Sequence, residues 1–183
     1  MVEKDVMKKG SGRYSLFARA IHWLTALMVL TMVPAGLIMV RIGRGHPVHD
    51  QLFGFHSSVG IVLMALTLAR LAHRLHKPPA ALPCDMPVWQ RVAARATHMS
   101  LYGFLIVNPF IGWIMISAFG GTISVFGLLT LPAIVARDRA LGAQLASAHE
   151  VFGLVFAAII VLHIAAALHH GLVRKDGVLN RML

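Results

Sequence analysis

Four stretches of this chain, residues 17–40, 53–75, 96–119 and 147–170, are each predominantly apolar over more than twenty residues. Nothing else in the sequence restricts the fold so strongly. A run of about 20 apolar residues matches a hydrocarbon core about 30 Å thick, and inside lipid a segment must satisfy its own backbone hydrogen bonds. Each stretch is therefore expected to be a membrane-crossing helix. The chain is expected to be an all-α integral membrane protein, a four-helix bundle in which residues 1–16 form a tail and residues 17–183 a single domain. Composition agrees: 57% of the residues are hydrophobic and only 13% charged, outside the range of a soluble domain. Lys8, Lys9 and Arg13 precede the first stretch as they would a signal peptide. That stretch is longer than a secretory apolar region and has no clear small-residue cleavage site, so it is read as a span.

Charge orients the bundle. Lys4, Lys8, Lys9, Arg13 and Arg19 flank the start of the first span, Arg70, Arg74, Lys77, Arg91 and Arg95 surround the second connection, and Arg174, Lys175 and Arg181 follow the last span. Thirteen of the seventeen Lys and Arg residues thus fall on one side, leaving Arg41, Arg44, Arg137 and Arg139 for the other. The positive-inside rule makes both termini cytoplasmic. The net charge of +10 is then mainly a topology signal, with contact to anionic lipid as a by-product, and does not point to nucleic acid. The connection at 120–146 carries the apolar piece "TISVFGLLTLPAIV", too short for a span and read as an interfacial segment on the outer side. The connection at 76–95 contains the proline turn signals. Cys84 is the single cysteine, so the chain has neither an internal disulfide nor a CxxCH attachment for c-type haem. No internal repeat or low-complexity tract is evident.

With this topology the histidines sort by depth. His22 lies near the inner end of the first span, His56 near the outer end of the second, and His149 and His163 near the outer and inner ends of the fourth. The last two are about 14 residues apart, close to four turns and about 21 Å, so they project from nearly one face. His22 with His163, and His56 with His149, make two imidazole pairs at two depths. Each pair suits a flat ligand held from both sides, as six-coordinate b-type haem requires. A lone intramembrane histidine can simply bond a neighbouring helix, but four at paired depths favour haem ligation.

Small residues fit this reading. Gly60 and Gly153, each one helical turn past a histidine, would admit a macrocycle or merely pack helices closely. Gly36, as far beyond His22 as His163 is beyond His149, would clear room beside the outer site. Arg70 stands at the same interval beyond His56 and brings a cation to the inner level as a candidate partner for haem propionates. Glu150 either sits at the positive end of its helix or accepts the Nδ1 proton of His149. His98, His73, His76, His169 and His170 are read as interfacial residues. Arg41, Arg44, His46 and His49 form a small basic patch in the outer loop, either plainly solvated or a funnel for an anionic substrate.

The stretches "RYSLFARAIHWLTALMVL", "GFHSSVGIVLMALTLARLAHRL", "ASAHEVFGLVF" and "VLHIAAALHHGLVRKDGVLNRML" resemble, in order and over nearly the whole chain, those of the bacterial cytochrome b561 family, and within it the small di-haem superoxide oxidase type. The resemblance implies a bundle holding two b haems, with His22, His56, His149 and His163 at the ligand positions. It also implies electron exchange with ubiquinone in the membrane and oxidation of superoxide on the outer side, that is, a superoxide:ubiquinone oxidoreductase. One alternative is the haem-carrying membrane anchor of a hydrogenase-like respiratory complex, fed by a partner redox protein. A second is a haem-free metal or proton transporter, which would want ligands converging at one midplane site with carboxylates, whereas no Asp or Glu lies mid-span.

Overall fold

A computed structural model describes residues 12–78 and 86–183. Lys4, Lys8, Lys9, Pro79, Pro83 and Cys84 lie outside the described residues. Four long helices are present: α1 (Leu16–Ile42), α2 (His49–His76), α3 (Val88–Ala118) and α4 (Arg139–Leu168). Each is long and apolar enough to cross a membrane. They alternate in direction, α1 packing on α2, α2 on α3 and α3 on α4, while α1 and α4 make no comparably close packing among the described residues. A seam is therefore left between the first and last helices.

The helices begin and end where local chemistry allows. Ser15 caps α1 by accepting from the Ala18 N–H at 3.2 Å. Gly43, at φ 69°, ends it in a backbone region that costs glycine little. Asp138 caps α4 by accepting from the Ala140 and Leu141 N–H groups at 2.9 and 3.1 Å, satisfying two of the donors a helix start leaves open. That cap starts α4 at Arg139, ahead of the expected position 147, and α3 likewise starts at Val88, ahead of 96. Counting apolar residues finds the part of a helix that lies in hydrocarbon, whereas the helix itself continues through flanking polar turns such as Arg91 and Arg95.

The connection between α3 and α4 differs in kind from a plain interfacial segment. Residues Ile123–Val125 (β1) and Leu129–Leu131 (β2) pair antiparallel, Ile123 opposite Leu131. Phe126 at φ 50° and Gly127 at φ 73° make the turn, with positive φ values that match the twist of a tight hairpin. Ser58 of α2, buried, pins the hairpin: its Oγ donates to Ser124 O at 3.1 Å and accepts from the Phe126 N–H at 3.0 Å. The all-α bundle thus carries one small hairpin at the end away from the termini.

The apolar core occupies the middle of the bundle. Val29, Met32, Val59, Leu63 and Phe156 are buried together, with Leu101, Phe104, Leu105 and Ile160 packed around them. Outward-facing residues such as Leu24, Leu27, Val161 and Leu162 are exposed, as helices surrounded by lipid require. The core therefore separates two ends of the bundle.

Residues 14–23 and the last residues of the chain meet at one of those ends. The Trp23 Nε1–H donates to Met182 O at 2.8 Å and the Tyr14 N–H to Arg181 O at 3.0 Å. After α4 the chain makes a π-helical turn (His169–Arg174) and a short 3₁₀ turn (Leu179–Arg181). Leu179 packs on Gly171, where no Cβ intervenes. Asp176 ties this strap together, with Oδ2 2.6 Å from His170 Nδ1 and 3.3 Å from Arg174 Nε, while Arg174 donates to Gln90 Oε1 of α3. Burial works against the charge of Asp176. The His170 hydrogen bond, the Val178 N–H and the charges of His170 and Arg174 outweigh it and hold the carboxyl below its usual range. A carboxylate lowered in this way stabilises the strap fully above the ordinary value of about 3.9, and that stabilisation is lost as pH falls through the lowered folded value. Exchange protection factors of residues 176–182, which remove the intrinsic pH dependence of amide exchange, are expected to stay high from pH 7 to about pH 5 and to fall below about pH 4, whereas Asp176→Asn should be weakly protected at every pH. Slow exchange in that variant would show that packing alone holds the strap.

Candidate functional site

Two levels of imidazoles stand on either side of the core. At the level away from the termini, the His56 ring of α2 and the His149 ring of α4 lie 6.0 Å apart, centroid to centroid, at 79°. At the level near the termini, His22 of α1 and His163 of α4 lie 6.4 Å apart at 76°. A direct N–H···N bond of about 3 Å would bring such rings roughly 1 Å closer. One atom bonded at about 2 Å to each ring fits between them. Among the described residues no group of three or more His, Cys, Asp or Glu is placed to hold a metal ion, so a metal bound by either pair must bring its remaining donors with it.

The distal level is built twice from one device. The Nδ1 of His56 is 3.1 Å from Met32 O of α1, and the Nδ1 of His149 is 3.0 Å from Asn108 O of α3. Each carbonyl lies one turn before a glycine, Gly36 and Gly112. Helical side chains lean toward the N-terminus and cover the carbonyl one turn back, so glycine at that place uncovers the oxygen for an imidazole. A Cβ on Gly36 would stand 2.7 Å from His56 Cε1, and one on Gly112 would stand 3.2 Å from His149 Cε1. Pro34 and Pro109, beside the two carbonyls, are the prolines inside α1 and α3. A carbonyl can only accept, so both rings carry their proton on Nδ1 and leave Nε2 with a free lone pair. This is the second-sphere arrangement that orients a ligating histidine.

These contacts revise several expectations. Gly36 admits the His56 ring itself, not a neighbouring group. Gly60 and Gly153 are ordinary packing positions, with Met32 Sδ and Asn108 Nδ2 as their nearest neighbours at 3.9 and 3.8 Å. Glu150 is exposed and lies well inside α4, so it neither caps the helix nor receives the His149 proton, which goes to Asn108 O.

The level near the termini holds more than the expected pair. His98 of α3 lies 5.5 Å from His163, nearer than His22 does, so it belongs to the cluster and not to the surface. Its position has a signal in the sequence: His98 precedes Gly112 by the same interval that separates His22 from Gly36. The first and second helix pairs thus share one register, a relationship too sparse in identities to read as a repeat. Arg70 is at the expected depth, and its guanidinium donates to His22 Nδ1 at 3.0 Å. Thr25 and Thr67, one turn toward the core from His22 and Arg70, are buried with unpartnered hydroxyls.

At the far end, Arg41 lies in the last turn of α1 and Arg44 in the loop after it, Arg44 standing over the Phe119 ring at 6.0 Å. The histidines of this patch are engaged locally. His46 Nδ1 accepts from the Val48 N–H at 3.2 Å, and His49, the first residue of α2, faces Asp50 at 3.0 Å and stacks on Phe53. Arg137 joins the patch instead, its side chain crossing Gly120 next to Phe119. Sequence separation hid it.

A family model described as prokaryotic cytochrome b561 matches residues 13–183. Cytochrome b561 homolog 2 of Escherichia coli K12 is 36% identical over 93% of this chain and 91% of its own length. Cytochrome b561 homolog 1 of the same organism is 28% identical, over 93% and 97%. A Yersinia pestis protein named Probable superoxide oxidase CybB is also 28% identical, over 93% and 96%. The likeness to the last is no greater than to homolog 1, so it does not single out the superoxide oxidase type. A match along almost the whole chain, in a bundle that stacks two pairs of facing imidazoles across an apolar core, places this protein in the prokaryotic cytochrome b561 family.

Proposed function

We propose that this chain holds two b haems, one between His56 and His149 and one between His22 and His163, and carries electrons across a bacterial inner membrane between an outer donor and ubiquinone. Membership of a cytochrome b561 family implies haem b and electron transfer in a membrane; the number of haems, the ligands, the donor and the acceptor are our reading. The observation that supports it best is the pair of ring separations, 6.0 and 6.4 Å, at two levels with an apolar core between. Haem b held by two imidazoles supplies one-electron chemistry with no open coordination position. His56 and His149 orient toward it through Nδ1–H bonds to Met32 O and Asn108 O, while Val29, Leu63 and Phe156 exclude water between the levels. Both termini, with most of the basic residues, are assigned to the cytoplasm, which puts the His56–His149 level on the outer side.

Superoxide is the proposed donor. It is a small anion, and Arg44 and Arg137 flank Phe119 and Gly120 at the end of the bundle where Arg41 closes α1, so that positive potential there would raise the encounter rate without a tight site. Replacing Arg41 and Arg44 together by glutamine is expected to slow haem reduction by superoxide several-fold and to flatten its dependence on ionic strength, because exposed charges act over a Debye length of about 10 Å at 0.1 M salt. Haem content should not change. An unaltered rate and salt slope would favour instead a membrane anchor fed by a partner protein, for which the hairpin tip offers a surface: Leu128 is 90% exposed, with Phe126 and Leu129 beside it.

A further inference from the structure

α1 and α4 carry His22 and His163, yet among the described residues they make no close packing with each other. α1 reaches the bundle through α2, and α4 through α3. The route from His22 to His163 by helix contacts therefore crosses three interfaces, and the play in each adds to the next. The outer pair is steadied by its carbonyl seats, Met32 O for His56 and Asn108 O for His149. Neither inner ring is seated on a backbone carbonyl among the described residues, and His22 meets the Arg70 guanidinium instead.

The chain that follows α4 joins the two helices by a shorter path. It turns at Lys175, whose φ of 52° lies in the left-handed region, and runs to α1. There Arg181 O accepts from the Tyr14 N–H at 3.0 Å and Met182 O accepts from the Trp23 Nε1–H at 2.8 Å. Tyr14 stands just ahead of the Ser15 cap and Trp23 about two turns inside α1, so the strap grips that helix at two heights. Trp23 follows His22 directly, with its ring 5.4 Å from the imidazole. His163 lies less than two turns before the end of α4 at Leu168. The strap is also tied along its own length. Asp176 Oδ1 accepts from the Val178 N–H at 3.2 Å while Oδ2 meets His170 and Arg174. Leu179 fills the place that a side chain at Gly171 would take.

We propose that this strap is a brace that sets the spacing of His22 and His163, with Trp23 and Asp176 as its positioning residues. The proposal rests on the reading that those two histidines hold the inner haem. A metal bonded at about 2 Å to each of two rings tolerates little error in their separation. The brace fixes that separation across the seam, through one hydrogen bond beside one ring and a folded tether to the helix of the other. The outer pair does not depend on it, because carbonyls of α1 and α3 hold those rings on the far side of the core.

The test uses the full chain carrying spin labels at Ala20→Cys and Ala166→Cys, exposed positions on α1 and α4, in a Cys84→Ser background. It reads the distance between the labels and, without labels, the ferric low-spin resonances of the haems, the inner one assigned in His149→Ala. Trp23→Phe keeps a ring beside His22 and loses the donor; Asp176→Asn loosens the strap far from either ring. In both, the label distance is expected to shift or broaden and the inner resonance to move. Inner haem affinity should fall about tenfold, the lower end of the range for partners of a metal ligand, and the outer haem should be unaltered. A tryptophan that merely packs would leave distance and resonance unchanged in Trp23→Phe. An unchanged distance in both variants would overturn the brace, and so would a changed distance with an unmoved inner resonance. If Trp23→Phe does not accumulate, Asp176→Asn is read in the same way. Retention of the inner haem in His22→Ala would overturn the His22–His163 reading, and the proposal with it; the label distances separate that failure from failure of the strap itself.

Discussion

Replacing His149 by alanine is expected to remove the outer haem and leave the inner one, and replacing His163 by alanine is expected to do the reverse, so that each variant keeps about half the haem per chain. The two residues share one helix face, but close to four turns of helix separate them by about 21 Å. Between them lie Val29, Met32, Leu63 and Phe156, all at or below 8% exposed. Among the described residues no hydrogen bond in that layer links one level to the other. On the proposed reading each substitution would remove a residue that holds the iron directly, a larger effect than loss of a second-sphere partner. A pyridine haemochrome assay on the purified variants gives the count, and dithionite-reduced spectra identify which site survives. If either substitution emptied both sites while the bundle stayed helical, the picture of two independent levels would be wrong.

The glycines beneath the outer rings carry the second large effect, and they are unequal. Gly36→Ala puts a methyl group 2.7 Å from Cε1 and 2.8 Å from Nδ1 of His56, too close for the ring to remain against Met32 O. The imidazole loses both its place and the acceptor that fixes its tautomer. Second-sphere losses of this kind typically cost about 10- to 100-fold in metal affinity, and the outer site of Gly36→Ala is expected to lie in that range or beyond it. Gly112→Ala brings its methyl group only to 3.2 and 3.5 Å of the His149 ring, a crowding that a small shift of the ring relieves, so its outer haem should bind within a fewfold of wild type. The inner site serves as control in both. Equal affinities for the two variants would mean that the rings are not seated on these glycines when haem is bound.

The polar ends of the helices and the hairpin show where sequence reading stops. Apolar run length located all four helices because lipid demands it of any spanning segment. It missed the polar first turns of α3 and of α4, the latter capped by Asp138. The hairpin at 123–131 depends on Ser58, which lies far back along the chain in α2 and offers one hydroxyl as both donor and acceptor.

The depth of His22, His56, His149 and His163 was legible for a simple reason: a helix advances by a constant rise of about 1.5 Å per residue, so position along the chain is position across the membrane. Arg70 was placed at its level by the same ruler. What a ruler along each helix cannot supply is the rotation and approach of one helix against another. The packed bundle is needed to seat His56 on Gly36 and His149 on Gly112, to give the His149 proton to Asn108 O and not to Glu150, and to turn His98 inward to His163. The same holds for Arg137 joining Arg44 at Phe119. Hydropathy and helical rise are local properties, and they suffice for a membrane bundle with imidazoles at two depths. Which carbonyls, cations and rings meet at each depth is a matter of packing, because the hydrogen bonds of His56 to Met32, His149 to Asn108 and Arg70 to His22 join residues 24 to 48 positions apart, a separation over which no local rule operates.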